Sequence, residues 1–395
     1  MYISSETRLF IREHSSDDVR VLALQAKKYP DIDMPTVITQ IAGRKVAAEK
    51  IPSWWEIEKI WYPKHLSLEQ CSSEITARYK ARLLQGDSLT DLTGGFGIDC
   101  SFLATGFKSA TYVERQEELC EIAAHNFPVL NLNHINIKNE DGVTYLQAMS
   151  PVDCLFLDPA RRNEHGGKTV AISDCEPNVA ELEELLLQKA NRVMIKLSPM
   201  LDLSLALKEL KQTQEVHILS VNNECKELLI LLGQTSPAEI SIHCVNLFTK
   251  GTQKEQHFVF TREQEQCSEC TYTDSLETYL YEPNASLLKA GAFRSIAAAY
   301  PVRKLHPNSH LYTSDTFIEN FPGRIFRIVN QCSFNKKEVK ENLADLKKAN
   351  VTVRNFPATV AELRKRIHLA EGGDTYLFAS TLNNGQKVLI RCEKV

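Results

Sequence analysis

Ser88-Leu-Thr-Asp91-Leu-Thr-Gly94-Gly95-Phe-Gly97-Ile-Asp99 is the stretch that decides the fold of this chain. A short apolar run ends at Asp91, a glycine-rich turn follows, and a second apolar run begins at Ile98. This order predicts a strand, a tight loop and the start of a helix. Glycines lack a Cβ, so a ligand can touch the loop backbone. The helix N-terminus adds N–H donors and the positive end of the helix dipole.

A dinucleotide site fits this loop poorly, because Cys100 stands where the third glycine of G-x-G-x-x-G is required. Asp91, placed before the glycines, suits a cationic ligand better than a pyrophosphate. The stretch resembles the first motif of class I S-adenosylmethionine-dependent methyltransferases. The resemblance implies S-adenosyl-L-methionine as the cofactor, with its methionine end held by the acid and the glycine loop. The implied cofactor contacts are Asp91, Thr93, Gly94, Gly95, Phe96 and Gly97.

The bulk composition is that of an ordinary globular protein, with 43% hydrophobic and 24% charged residues. A length of 395 residues predicts roughly two to four domains. We expect a cytoplasmic protein without a membrane span, because no apolar run is long enough and no signal-peptide pattern opens the chain. The 11 cysteines show no disulfide framework. A zinc site at Cys267 and Cys270 would need further ligands at suitable spacing, and the sequence has no second pair of this kind, so no metal site is expected.

Charge is unevenly distributed along the chain. Residues 281–395 hold 18 Lys+Arg against 10 Asp+Glu, a net of +8, and the remainder holds 28 against 40, a net of -12. A basic C-terminal third on an acidic body indicates a polyanionic partner. The alternative is that the basic third docks on the acidic body.

Residues 1–85 are predicted to be helical, with Trp54, Trp55 and Trp61 as apolar anchors. A last helix is predicted from a capping box at Ser67-x-x-Gln70 through Tyr79. The polar run 69–74 is either a solvated helix start or, by resemblance to RNA methyltransferases, a segment bordering the cofactor.

Alternating strands and helices over residues 86–233 predict a parallel sheet covered on both faces. The second strand ends at Glu114, which is 23 residues after Asp91 and can reach a ribose. The third strand, around Ile135, is followed by Glu140 and Asp141. The resemblance places a contact to the adenine amino group there, with Asp141 preferred and Glu140 as the alternative.

The fourth strand, residues 152–157, is followed by Asp158-Pro159-Ala160-Arg161. Ligands of open α/β sheets bind beyond the carboxyl ends of the strands, so Asp158 is predicted to face the active site and the cofactor. Nitrogen methyltransferases of the family carry Asp/Asn/Ser-Pro-Pro-aromatic here, and this chain departs from that pattern at Ala160 and Arg161. The implied catalytic residues are Asp158, Pro159 and Arg161. Arg161 either positions the substrate or pairs with an acid such as Glu164.

The fifth strand, residues 192–197, brings Lys196 to the same edge as a predicted substrate contact. Pyrimidine C5 methylation requires a thiolate nucleophile. The comparable stretch here, Leu197-Ser198-Pro199, has no cysteine, which disfavours that reaction. Residues 240–248 and 257–260 predict a hairpin that ends the methyltransferase domain.

The C-terminal part is predicted to begin after a linker at residues 264–278. Residues 279–322 resemble a small ferredoxin-like unit, and residues 323–395 resemble the THUMP-like domains of RNA-modifying enzymes. A capping box at Thr359-x-x-Glu362 opens a helix, and Asn384-Gly385 predicts a hairpin turn. The candidate RNA contacts on that helix are Arg364, Lys365 and Arg366.

The whole chain resembles bacterial class I methyltransferases with a C-terminal THUMP-like domain. The predicted fold is α/β: residues 1–85 helical, a Rossmann-like methyltransferase domain at 86–263, and two small C-terminal α+β domains. The leading hypothesis is methylation of a base nitrogen of tRNA or rRNA, guanine N2 by resemblance. The alternatives are a protein or small-molecule substrate, or an RNA-binding protein whose methyltransferase fold no longer catalyses.

Overall fold

The computed structural model describes residues 3–161, 171–235 and 237–395. The chain divides into two compact units, one formed by Met1–Gln214 with Leu229–Pro237 and the other by Glu215–Leu228 with Ala238–Val395. Among the described residues, no helix combines the length and the apolar character needed to cross a bilayer.

The N-terminal part of the first unit is helical, as predicted. Its helices are α1 (Ser5–Glu13), α2 (Val19–Leu24), α3 (Met34–Lys50), α4 (Pro52–Trp55), α5 (His65–Gln70) and α6 (Glu74–Ala81). Trp54 is buried with its ring 5.2 Å from that of Phe96, and Trp61 stacks on His125. Trp55 is 42% exposed and is not one of the apolar anchors. Two tryptophans therefore fix this helical part onto the glycine loop and the helix carrying His125.

The predicted single helix from Ser67 to Tyr79 is wrong, because the structure divides it into α5 and α6. Ser67 lies inside α5, so it caps nothing, and the backbones of Cys71 and Ser73 are extended. Between them, Ser72 is buried, and its hydroxyl donates a 2.7 Å hydrogen bond to Asp99. This tertiary bond stabilises the break in place of the helical hydrogen bonds that are lost.

Strands and helices alternate through the rest of the first unit, close to the predicted positions. The strands are β1 (Ser88–Asp91), β2 (Ser109–Glu114), β3 (Ile135–Asn139), β4 (Val152–Leu157), β5 (Ala160–Arg161), β6 (Cys175–Glu176) and β7 (Ala190–Leu197). The helices are α7 (Ile98–Ala104), α8 (Glu117–Val129), α9 (Gly142–Ala148), α10 (Val179–Lys189) and α11 (Leu203–Glu209).

Parallel pairing places the strands of this unit in the order β7-β4-β1-β2-β3. The chain order reverses between β1 and β4, so the connections after these two strands run to opposite sides. The carboxyl ends of β1 and β4 therefore border a crevice at the switch point, which is where doubly wound sheets bind ligands. This is the mixed α/β, Rossmann-like architecture that the sequence predicted.

The second unit contains a parallel pair of strands that a third, antiparallel strand extends. The division between the units falls within β8 (Thr213–Val221) and β9 (Glu224–Gly233). β8 pairs in parallel with β10 (Ser241–Leu247), and β10 forms the predicted antiparallel hairpin with β11 (Glu255–Thr261). The predicted linker begins inside a helix, α12 (Arg262–Cys267), which a capping box of Thr261 and Gln264 starts.

A seven-stranded sheet forms the rest of the second unit, in the order β13-β14-β12-β15-β18-β17-β16. Its strands are β12 (Tyr279–Pro283), β13 (Arg303–Lys304), β14 (Tyr312–Ser314), β15 (Gly323–Ser333), β16 (Asn350–Val353), β17 (Thr375–Thr381) and β18 (Lys387–Lys394). The helices are α13 (Ala285–Ala290), α14 (Ser295–Ala299), α15 (Lys336–Leu343) and α16 (Val360–Ile367). The predicted capping box of Thr359 and Glu362 opens α16.

Candidate active site

The glycines of the loop between β1 and α7 have different structural roles. A Cβ at Gly94 would lie 2.2 Å from the ring of Tyr112, and Gly97 caps α7 with a φ of +85°. Gly95 has a φ of +55°, and a Cβ there would meet only the Thr93 carbonyl oxygen, at 3.8 Å. Gly94 and Gly97 are therefore required by packing and backbone conformation. Among the described residues, Gly95 instead has open space at the Cβ position, although its N–H and C=O are already bonded to Glu114 and Tyr112.

Asp91 lies at the end of β1 and is only 1% exposed. Its Oδ1 accepts a hydrogen bond from the Thr93 N–H at 3.0 Å, whereas its Oδ2 is buried without a hydrogen-bond partner among the described residues. Burial raises the pKa of Asp91 well above its usual range, and the charges of Asp99, Asp158 and Glu114 raise it further. A buried acceptor with no partner, surrounded by acids, suits a cationic ligand group.

Glu114, at the end of β2, is oriented by backbone donors on both sides. One carboxylate oxygen accepts from the Gly95 N–H at 2.9 Å, and the other accepts from the Gln116 N–H at 2.8 Å. Each oxygen can accept more than one hydrogen bond. The carboxylate is therefore held beside the glycine loop, and the prediction that it also accepts from a ribose stays a prediction.

Asp141 has a role that the sequence prediction missed, because it is the N-cap of α9. Its Oδ1 accepts from the backbone N–H groups of Val143 and Thr144, both at 3.0 Å. Asp141 is exposed, and the neighbouring Glu140 is half-buried. Both acids follow β3, so the predicted adenine contact and its alternative both remain open.

Asp158, after β4, is tied to the glycine loop and to a lysine. Its backbone N–H donates to the Thr93 hydroxyl at 2.6 Å, and the ammonium of Lys196 on β7 donates to its carboxylate. The Asp158 side chain is 35% exposed. Burial raises the pKa of Asp158, and the Lys196 cation opposes that shift. The geometry therefore leaves a partly accessible carboxylate at the switch point, held by a buried cation.

Lys196 was predicted to contact the substrate, but its side chain is 9% exposed and its ammonium lies among acids. Besides pairing with Asp158, it lies 3.6 Å from Asp99 Oδ2. In the contacts that the structure describes, Lys196 holds the carboxylates of Asp99 and Asp158 in place. Its contact with RNA stays a prediction.

A buried polar network behind Asp158 was not foreseen from the sequence. Lys80 on α6 is completely buried; its ammonium lies 2.9 Å from Asp99 Oδ1 and donates to the Ser72 hydroxyl at 2.8 Å. Burial alone would raise the pKa of Asp99, but Lys80 and Lys196 outweigh it and the pKa is lowered. The network runs from Ser72, in the break between α5 and α6, to Asp158. The polar run 69–74 is therefore not only a solvated helix start.

The other predicted active-site residues are placed less informatively. The ring of Phe96 belongs to the apolar core against Trp54, so its predicted cofactor contact stays a prediction. Pro159 is buried, and the backbone of Arg161 pairs with Cys175 in the short β5–β6 ladder. The side chain of Arg161 and the whole of Glu164 lie outside the described residues.

The three basic residues of α16 differ in their surroundings. Arg364 lies 3.8 Å from Glu371, and Arg366 stands over the Phe334 ring at 5.1 Å. Lys365 is exposed. Other exposed lysines of the same region are Lys336, Lys337 and Lys340 on α15. The basic surface is therefore spread over two helices, and their contact with RNA stays a prediction.

Family models match two adjacent segments of the chain. A ferredoxin-like domain matches residues 279–322, and a THUMP domain-like model matches residues 323–394. No curated protein matches the chain.

Solved structures include one relative of full length. A candidate methyltransferase from Porphyromonas gingivalis W83 is 34% identical, covers 100% of both chains and has a TM-score of 0.88. Two others, an rRNA methylase from Streptococcus thermophilus and a candidate methyltransferase from Streptococcus mutans in complex with SAH, each cover 40% of this chain with a TM-score of 0.30. They are 15% and 13% identical and cover 93% and 96% of their own chains. The full-length match shows that this chain belongs to the same family as the Porphyromonas gingivalis candidate methyltransferase, with C-terminal ferredoxin-like and THUMP-like domains.

Proposed function

We propose that this protein transfers a methyl group from S-adenosyl-L-methionine to a base nitrogen of structured RNA, tRNA or rRNA, with guanine N2 as the favoured acceptor. The observation that carries the proposal is the combination of Asp91, which has a buried oxygen without a described partner, with Gly95, where the described residues leave open space at the Cβ position. The membership in a methyltransferase family supports the same reading.

The residues at the strand ends fit this cofactor in chemistry. Asp91 would hold the cationic methionine amine, which satisfies its buried oxygen. Glu114 would accept from the ribose hydroxyls, and Asp141 or Glu140 from the adenine amino group. A carboxylate at each of three successive strand ends therefore matches the three hydrogen-bonding parts of the cofactor.

The reaction itself needs alignment more than acid–base chemistry. When bound, the cofactor supplies a methyl group that its sulfonium already activates. Positioning of the acceptor and exclusion of water then provide most of the acceleration. The Asp158 carboxylate and the Pro159 carbonyl would accept hydrogen bonds from an exocyclic amine, which aims the nitrogen lone pair. Lys196 opposes the rise that burial causes in the pKa of Asp158, and so favours the ionised form, which only accepts hydrogen bonds.

RNA as the substrate is supported by the THUMP-like match and by the basic surface of the same segment. Residues 323–395 hold 14 Lys+Arg against 7 Asp+Glu. Lysines on an exposed helix can neutralise phosphates without reading sequence.

The experiment that tests the proposal is methyl transfer from labelled cofactor to total RNA and, in parallel, to total protein. We expect label in RNA, and methylguanosine on nucleoside mass spectrometry. Asp158→Asn keeps the size of the side chain but removes its charge, and should lose turnover while retaining cofactor binding by calorimetry. The matched control is Asp18→Asn, an exposed helix cap at which asparagine caps equally well.

Three outcomes would count against the proposal. Label in protein alone would transfer the activity to another substrate class. RNA binding without cofactor binding would indicate a fold that no longer catalyses. Turnover of Asp158→Asn near the wild-type rate would make the Asp158-Pro159 segment structural.

A further inference from the structure

A cluster of imidazoles and one carboxylate lies in the second unit, on strands that the proposed active site does not use. Parallel pairing of β8 with β10 places His243 directly opposite His217. Glu215 lies two residues before His217 and therefore on the same face of the sheet. On β11, His257 is opposite Val245, two residues from His243, so it shares that face as well.

The rings stack, and the donor atoms of three of the four residues converge. The His217 and His243 rings stack at 4.3 Å, and the His243 and His257 rings stack at 5.3 Å. His217 Nε2 lies 3.2 Å from a Glu215 oxygen, and His243 Nδ1 lies 3.1 Å from His257 Nε2. Glu215, His217 and His243 each offer a ligand atom within 4.8 Å of the others.

These separations are close to those of a metal site. Two ligands bound tetrahedrally to Zn²⁺ at about 2.0–2.1 Å lie roughly 3.3–3.4 Å apart. The two closest pairs already meet that spacing within a few tenths of an ångström. The other pairs of ligand atoms need side-chain rotation to reach this spacing. The strand register already brings their residues together on one face of the sheet.

The donor types of the cluster also favour ligation. Donor sets of imidazole with one carboxylate suit Zn²⁺, whereas Mg²⁺ and Ca²⁺ prefer oxygen ligands.

We propose that Glu215, His217 and His243, with His257 as the fourth donor, form a Zn²⁺ site that ties β8, β10 and β11 together. Four protein ligands without an open position are typical of a structural site. The inference goes beyond the methyl-transfer proposal and does not depend on it. It also differs from the expectation of no metal, which for Cys267 and Cys270 rested on the lack of further ligands at suitable spacing.

The test is a titration of the full-length, untagged, chelator-treated protein with Zn²⁺ by calorimetry. We expect one equivalent per chain. His243→Ala should weaken binding by at least ~100-fold, since loss of an outer-shell partner alone costs up to that factor. His65→Ala is the matched control, because His65 is an exposed histidine on α5. The double variant Cys267→Ser/Cys270→Ser should bind as the wild type does, because neither thiol belongs to the cluster.

Two further readouts keep the test independent of misfolding. Co²⁺ in place of Zn²⁺ should give the visible bands of a four-coordinate site without a thiolate charge-transfer band, and Zn²⁺ should raise the unfolding temperature of the wild type. Should His243→Ala fail to fold, Glu215→Gln and His257→Gln serve instead. No binding, binding unchanged in the cluster variants, or binding lost in the cysteine variant would each overturn the proposal. The cluster would then be a stack of histidines that contributes packing alone.

Discussion

Replacing Lys80 with methionine should destabilise the first unit strongly at neutral pH. Lys80 is completely buried, with its ammonium 2.9 Å from Asp99 and bonded to Ser72. Methionine fills the space of the lysine stem, so a cavity contributes little. The loss comes from leaving Asp99 buried with one cation fewer. Removing one partner of a buried ion pair costs about 3–5 kcal/mol. Lys196, 3.6 Å from Asp99 Oδ2, still offsets part of the charge, so we expect the lower end of that range.

The effect should also depend on pH in a definite direction. In the wild type, Lys80 and Lys196 hold the pKa of Asp99 below its usual value, so the stability from this group is present above the unfolded pKa and lost as the pH falls. Without Lys80, burial should raise that pKa. At pH 7 the variant then loses free energy of unfolding, because Asp99 is ionised while buried with one cation fewer. This loss becomes smaller as the pH falls towards about 4, the pKa of an unfolded aspartate.

The assay is urea unfolding at pH 7 and at about pH 4, with tryptophan fluorescence as the signal. All 3 tryptophans, Trp54, Trp55 and Trp61, lie in the first unit, so the signal reports that unit alone. The matched control is Lys108→Met, which removes an exposed ion pair of 2.8 Å with Asp87. Exposed pairs contribute about 0–1 kcal/mol, so this control should change little. A loss below 1 kcal/mol for Lys80→Met, or an equal loss at both pH values, would refute the reasoning.

Three other predictions concern binding. Gly95→Ala should weaken cofactor binding in calorimetry, whereas Gly251→Ala should not. Both glycines have positive φ and, among the described residues, open space around a Cβ, and both substitutions carry the same ~1–2 kcal/mol backbone cost. Equal affinities of the two variants would remove Gly95 from the site. Asp91→Asn should reduce cofactor affinity by about 1.5–3 kcal/mol. Because the folded pKa of Asp91 is raised, wild-type affinity should increase with pH as the carboxylate ionises, and a pH dependence retained by the variant would assign it to another group. Replacing the three exposed lysines of α15 with glutamine should lower RNA affinity; the three are Lys336, Lys337 and Lys340. In filter binding, the slope of log affinity against log salt should decrease by about 0.7 for each single-strand phosphate contact that is lost. An unchanged slope would place the RNA elsewhere.

The strands that carry the proposed cofactor site could be predicted because each one has a local sequence pattern. β1, β2 and β4 are apolar runs that end in Asp91, Glu114 and Asp158, and parallel strands bring their carboxyl ends to one edge. The glycine loop could likewise be read from residue types alone, since the absence of Cβ atoms is a property of the sequence.

What could not be predicted depends on contacts between distant segments. The break between α5 and α6 is stabilised by a bond from Ser72 to Asp99, 27 residues later, and helix periodicity across Leu68, Ile75 and Tyr79 conceals it. Lys196 looked like a substrate contact because nothing in its own strand shows that Asp99 and Asp158 surround it. His217, His243 and His257 follow no ligand spacing, and only the register of three strands brings them together.

The seven-stranded sheet has a consequence for how the C-terminal part can be divided. β12 belongs to the segment matched as ferredoxin-like and β15 to the segment matched as THUMP-like, yet Tyr279–Pro283 pairs residue by residue with β15. Two modules that are separate in sequence therefore share one continuous hydrogen-bond ladder. Deletion of residues 323–395 would leave β12 with an open edge, and an exposed edge strand invites aggregation. Amide exchange should protect the two segments as one cooperative block, and a graft of either into another protein would have to carry both.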